Sequence, residues 1–526
     1  MQQCHRSQTP KMRNYVSIDW NAGYVTDVNY TFGYYGELNP FRSRLPLLLS
    51  GRHAPRMVNA CELGFGQGLS VSIHAAAQPG VNWYGTDFNP SQAAFASELV
   101  DMSGSNAKLY DEAFGEFCNR TDLPDFDFIG LHGIWSWISD ENRLVLVDFI
   151  RRKLRPGGVL YISYNASPGW SVAAPIRHLL KQHADIMGVS GQGVTNQAGA
   201  AMDFIEQFLA VEPAYAKINP VVVEKFKQIR GQDRAYIAHE YMNRNWDPMY
   251  FADVERWLGD SKVSFGCSAN TLEHPYELNM TKEQSDFLRA QPDVSLRETL
   301  RDFCVNQQFR RDYWLRGPRV LLGHEQIAAL RGEQIILLAS ENNLPKTVRW
   351  GGREAGLVDA IYGPIYQALL DYKPHSIEAL ESAVAGKGVT FPQLTSALTI
   401  LLGMGVVQGV APTKDRAKAK AQTLALNKAI AQRSLSVGDI AHFASPITGG
   451  GIAAPRFQQL FWLAKQSGGK TPDDWAAFAW RQLSALNQAI LKDGAALQGE
   501  ANLAELKTQA TEWGERSLPI WTALGI

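Results

Sequence analysis

Short apolar runs alternate with stretches of helical apolar spacing through the first third of the chain. The first run closes on Cys61-Glu62-Leu63, and Leu69 to Ala77 reads as the helix that follows it. Val81 to Asp87 reads as a second strand ending in an acid. Lys108 to Tyr110 is a weak third strand, Phe126 to Leu131 a fourth and Val159 to Ser163 a fifth. Asp140 to Leu154 reads as a helix that stops before Arg155-Pro156-Gly157-Gly158, since glycine ends helices and proline cannot continue them. Strands alternating with helices predict an α/β fold, a Rossmann-like doubly wound parallel sheet. Ligands of such sheets bind outside the carboxyl ends of the strands. That rule draws Gly64 to Gly68, Asp87, Asp111, His132 to Trp137 and Tyr164 to Trp170 onto one rim.

The later pattern differs. Met187 to Ala201 is rich in glycine and small residues and reads as a linker or loop. Met202 to about Ser340 is mainly helical in pattern, with two dense polar and aromatic clusters, Tyr236 to Phe251 and Phe309 to Trp314, that are candidates for a substrate groove. Leu357 to Leu370, His375 to Leu380 and Phe391 to Leu402 read as three helices, with a small strand beginning at Gly403, a winged-helix-like plan. The expected segments are residues 1–50, a tyrosine-rich extension or lid (Tyr15, Tyr24, Tyr30, Tyr34, Tyr35); 51–190, the nucleotide-type domain; 200–340, a mainly helical regulatory or substrate domain; and 341–526, a winged-helix-like and helical domain suited to protein contact or homodimerisation.

The glycine turn carries the chemistry. Glu62-Leu63-Gly64-Phe65-Gly66-Gln67-Gly68 has G-x-G-x-G, with Leu69 where a dinucleotide turn has its third glycine. A carboxylate at Glu62 would repel a pyrophosphate and suits a cationic amine, as in S-adenosylmethionine (SAM). Gly64, Gly66 and Gly68 let the backbone approach such a ligand. An acid about 20 residues past the glycines accepts from ribose hydroxyls, and Asp87 is the candidate, with Phe88 over the adenine. Its alternative role is to cap the helix beginning near Pro90. Asp111 and Phe114 follow the third strand and are further adenine contacts. Tyr34 is a candidate to reach over the cofactor from the lid, or else packs the extension onto the sheet.

Charge and composition narrow the partners. The formal net charge is -1, so bulk electrostatics does not recruit nucleic acid or an anionic membrane. Between Ala355 and Pro412 the acids outnumber Lys373 and Lys387, which argues against DNA binding by the winged-helix-like part. The basic run from Lys414 to Arg433 reads as a solvated helix face. No apolar run reaches the roughly 18 residues of a membrane span, and Met1 to Asn14 does not look like a signal peptide. Five dispersed cysteines suggest neither disulfides nor a metal site, and a cytoplasmic location is expected.

The glycine turn and its acids resemble class I SAM-dependent methyltransferases. His132-Gly133-Ile134-Trp135-Ser136-Trp137, Tyr164 to Trp170, His239-Glu240-Tyr241 with Asn243, Trp246 and Pro248, and Phe309-Arg310-Arg311-Asp312 are similar to bacterial methyltransferases with a methyltransferase regulatory domain. Their best-understood relatives are rickettsial-type lysine methyltransferases of outer-membrane proteins. The resemblance implies N-methylation of lysine on a surface protein, with S-adenosylhomocysteine as product. His132, at the end of the fourth strand, is the first candidate to take the acceptor's proton or orient the acceptor, and it also borders the cofactor. Trp135, Trp137 and Tyr164 are candidates for aromatic walls, with core packing as the alternative. A glycan or small-metabolite methyltransferase, and a SAM-binding protein without turnover, are the competing readings.

Overall fold

The computed structural model describes residues 32–189, 191, 193–232 and 234–526, with backbone only for 234–236. The expectations about Met1 to Asn14, Tyr15, Tyr24, Tyr30 and the Tyr236 side chain lie outside the described residues.

Seven strands form the central sheet: β1 (Asn59–Leu63), β2 (Asn82–Thr86), β3 (Lys108–Tyr110), β4 (Phe126–Leu131), β5 (Leu154–Asn165), β6 (Val263–Ser268) and β7 (Phe309–Arg316). Their order is β3-β2-β1-β4-β5-β7-β6. The first five are parallel, and β7 and β6 add antiparallel. The chain order reverses between β1 and β4, the crevice where ligands of doubly wound sheets bind. β5 begins at Leu154, so Arg155 to Gly158 lie inside a strand.

β6 and β7 come from the stretch expected to be helical, and the sheet therefore extends beyond residues 51–190. The charged triplet Arg310-Arg311-Asp312 hides a strand from any hydrophobic pattern. Alternation along a strand sends neighbours to opposite faces. Arg310 and Asp312 are buried on one face, where Arg310 pairs with Asp302 at 2.7 Å, Asp312 at 2.8 Å and Glu298 at 3.0 Å. Arg311 turns to the other face and meets Glu37 at 2.9 Å.

Each face of the sheet has its own apolar layer. Leu63, Leu131, Leu160, Ile162 and Trp314 belong to one; Ala60, Phe128, Val159, Tyr161 and Tyr313 belong to the other. The helix Leu69–Ala77 is buried on every side, because Val71 and Ala75 face the sheet while Leu69, Ile73 and Ala76 join a core with Leu426, Phe443, Trp462 and Trp513. The C-terminal region and the nucleotide-type fold thus share a core. The helix Arg416–Arg433 packs one face there, burying Ala419, Leu426 and Ile430, so only part of the basic run is a solvated face.

The glycine-rich stretch after Met187 contains the start of a helix, Val194–Ala210, in place of the expected loop. Further on, helices Asp359–Leu369, Ile377–Ala385 and Phe391–Gly403 accompany a three-stranded sheet of His375–Ser376, Gln334–Leu337 and Val407–Gly409. No helix among the described residues is long and apolar enough to cross a membrane.

Candidate methyl-donor site and acceptor chamber

The turn after β1 holds Gly64, Gly66 and Gly68 at φ +71°, +57° and +68°, the left-handed region that only glycine enters freely. Gly64 and Gly66 line a cleft at the carboxyl ends of β1, β2 and β4. Gly68 does not. A Cβ there would stand 2.3 Å from the Ala96 Cβ, so this glycine admits the helix Pro90–Ser103 against the turn. It takes the packing role of a dinucleotide turn's third glycine, one residue before Leu69.

Glu62 is buried in the cleft wall, and its Oε2 has no hydrogen-bond partner. Burial, reinforced by the neighbouring Asp87, pushes its carboxyl up to about 8. An ammonium delivered to this oxygen would supply the missing donor and restore the charge. Asp87 does not cap the helix at Pro90; Asn89 does, accepting from Ser91 N. Asp87 Oδ2 instead accepts from Gly66 N at 2.8 Å and Oδ1 from Asn89 N at 3.0 Å. Burial raises it to about 6 against the pull of those two bonds. Phe88, Phe114, Ile134 and Trp137 supply the apolar walls. A buried orphan carboxylate oxygen, a braced second acid and flat apolar walls together fit SAM.

Four other residues expected at the cofactor or the acceptor, Asp111, Trp135, Tyr164 and Tyr34, lie outside the cleft lining. Asp111 is exposed just past β3 and does not line the cleft; Glu112 and Ala113 do. Trp135 is fully buried, edge-on to Trp257. The tight turn Trp135–Trp137 sends this ring into the core while Trp137 faces the cleft. Tyr164 is also in the core, on the β5 face of Leu160 and Ile162, and donates to Asp312 Oδ2 at 3.1 Å. The residues on the opposite face, Tyr161 and Ser163, approach the site. Tyr161 OH and His132 Nδ1 share a hydrogen bond of 2.8 Å, and Ser163 Oγ accepts from Gly133 N.

Tyr34 stands behind the cleft, outside its lining. Its hydroxyl accepts from Gly451 N at 2.7 Å and meets His74 Nε2 at 3.1 Å, and burial pushes it up to about 12. Its neighbour Tyr35 lines the cleft and stacks on His132, ring centroids 3.7 Å apart. Asn245 also lines the cleft. It was not anticipated, although the dense 236–251 cluster was the available signal. Asp247 N donates to Ser136 O at 2.8 Å, and Ser167 N to Met249 O at 3.0 Å; these bonds tie that loop to the rim.

Beyond Tyr35 and His132 lies a second chamber of about 760 Å³. The two cavities share those two side chains in their linings. The chamber is walled by Glu37 and Arg42, by Phe309 and Arg311 of β7, and by C-terminal residues that include Gln408, His442 and Trp521. Desolvation holds His132 down to about 4, so its imidazole is neutral at pH 7. No group of three or more metal-ligating side chains occurs among the described residues.

Residues 233–316 match the family model of a predicted methyltransferase regulatory domain, a span that brings Asn245 to the cleft and Phe309 and Arg311 to the chamber. An uncharacterized protein of Synechocystis (sll1526) is 36% identical over 97% of this chain and 100% of its own length. A tRNA (guanine-N(7)-)-methyltransferase of Pseudomonas putida is 31% identical over 22% of this chain and 51% of that protein. The fold matches that of PKMT2 from Rickettsia typhi, solved with AdoHcy. The TM-score is 0.68 and the identity 16%, across 94% of this chain and 100% of that one.

Proposed function

The chain belongs to the SAM-dependent methyltransferases that carry a methyltransferase regulatory domain, and from that premise we propose that it N-methylates lysine side chains of a protein substrate. The observation that carries this reading is the chamber that adjoins the donor cleft at Tyr35 and His132. An acceptor entering there would meet the donor at a neutral imidazole and a phenol. The whole-chain likeness to PKMT2 supports the same reading.

Bound in the cleft, SAM supplies an electrophilic methyl group on a sulfonium. Glu62 would hold its amine, Asp87 its ribose, and Phe88, Phe114 and Ile134 its base. The protein must then present a neutral nitrogen and exclude water. A free lysine has a pKa of about 10.4, so deprotonating it at pH 7 costs about 5 kcal/mol. A desolvating chamber lowers that cost. His132 Nδ1 is engaged with Tyr161, which leaves Nε2 as the imidazole position to receive the acceptor's proton or orient its lone pair.

The test is transfer of labelled methyl from SAM into an extract of the source cells, separated into protein, glycan and small-molecule fractions. Label in protein that survives acid hydrolysis as methyl-lysine is the expected result. Label confined to glycan or metabolite would overturn it. That outcome is the second reading, favoured by a chamber that four separate parts of the chain wall in, as suits a small acceptor.

A further inference from the structure

The chamber carries more positive charge than it neutralises. Its charged lining residues are Glu37, Arg42 and Arg311. Glu37 Oε1 accepts from Arg311 Nη1 at 2.9 Å, whereas Arg42 Nη2 stands 4.0 Å from the same oxygen. That long contact is the one ion pair of Arg42 among the described residues. One carboxylate therefore serves two guanidinium groups, and Arg311 Nε is buried without a partner. The Arg42 side chain keeps 36% of its surface free, and that surface opens onto the chamber. Its placement is built in: a Cβ at Gly36 would lie 2.2 Å from Arg42 Nη1, so glycine lets the guanidinium rest against the backbone.

The other titratable groups facing this pair do not cancel the excess. His132 and His442 are held neutral by burial. Tyr34, Tyr161 and Tyr313 keep their protons. A guanidinium offers two parallel N–H groups and pairs bidentately with a carboxylate.

We propose that Arg42, with Arg311 behind it, holds a carboxylate of the acceptor, so that the methylated residue is one flanked by an aspartate or glutamate of the same protein. The inference rests on the reading above for the identity of the acceptor atom, and on the chamber alone for the anion. It also suits the reaction. A net positive chamber disfavours an ammonium and favours the neutral amine that must attack. The acidic neighbour would then bring into the chamber a substrate that its accepting group alone would not attract.

The experiment uses the full-length enzyme and the acceptors it labels in extract, identified by mass spectrometry. The strongest acceptor is then remade as two peptides or small molecules, one carrying the acid and one its amide. The wild type should prefer the acid form by tenfold or more in kcat/KM, mostly through KM. R42Q should lose that preference, R42K should recover part of it, and the Kd for SAM should be the same in all three, since Arg42 lies outside the donor cleft. Labelled acceptors without an anionic group, or equal turnover of acid and amide by the wild type, would overturn the proposal. The atom that bears the label decides separately whether the acceptor is lysine, so the two readings can fail independently.

Discussion

The donor cleft and the acceptor chamber share two side chains and are otherwise built in opposite ways. Most of the cleft comes from one stretch, Glu62 to Asn142, with Gly33, Tyr35 and Asn245 as outliers. The chamber draws on residues 34–42, on His132, on β7 and on 338–524. The cleft has excess negative chemistry, Glu62 and Asp87, both held above their usual range by burial. The chamber has excess positive chemistry. On the proposed reading, a donor ammonium would be met by acids that ionise as it binds, and a lysine that must lose its proton would be met by guanidinium groups.

The sharpest way to break the comparison is across β7, whose two faces have different tasks. Arg310→Met should lower stability by about 3–5 kcal/mol, because Asp312 and Glu298 lose their cation in the core and Asp302 keeps only Arg301 at 3.7 Å. Arg311→Met should cost less, about 1–2 kcal/mol, because its partly exposed side chain leaves Glu37 with Arg42 still 4.0 Å away, and should act chiefly on acceptor KM. Chemical denaturation of both variants checks this, and equal loss would mean that β7 does not divide the two functions.

A second contrast lies within one turn. Trp135→Ala should cost about 3–5 kcal/mol of stability, as large buried aromatics do. Trp137→Ala should spare the fold and weaken SAM binding. Thermal unfolding and calorimetric titration on the same two proteins separate these effects.

The cleft itself answers to Glu62. Glu62→Gln should weaken SAM binding by about 10- to 100-fold, the worth of about 1.5–3 kcal/mol for a charge-assisted bond. The pH dependence follows from the same group. Its carboxyl is raised to about 8 in the folded protein, against about 4.3 in an unfolded chain. The ligand-free fold therefore binds the extra proton, and this group's contribution to stability is lost as pH rises from about 4.3 to about 8. SAM needs the ionised form, so its affinity should rise by up to about tenfold per pH unit towards about pH 8 and fall again above it as the ligand's own α-ammonium, with a pKa of about 8, loses its proton. In Glu62→Gln the stability slope and the rise in affinity should both flatten. The smallest effect is expected at Asp111→Asn, which should leave the SAM Kd unchanged.

Legibility followed the range of the signal. Glu62, Gly64, Gly66, Asp87, Phe88 and Phe114 stand at the ends of strands whose apolar runs mark them out, and all line the cleft. Tyr34 was the tyrosine expected at the cofactor, and the cleft has Tyr35 instead, because one residue of register on an irregular segment decides which ring reaches it. Tyr164 was misplaced for a related reason. It belongs to the rim by sequence, but alternation along β5 gives the site to Tyr161 and Ser163.

The sequence by itself determined the parallel half of the sheet and the chemistry of the glycine turn, since both depend on neighbours within about 30 residues and on backbone freedom that glycine alone has. Only the tertiary structure decided that Arg310 is neutralised in the core while Arg42 is left facing a chamber. Arg310 finds its acids within 12 residues of itself, Glu298, Asp302 and Asp312, whereas Glu37, five residues from Arg42, is taken at 2.9 Å by Arg311, 274 residues further along the chain, and that long-range capture is what leaves Arg42 without a close partner.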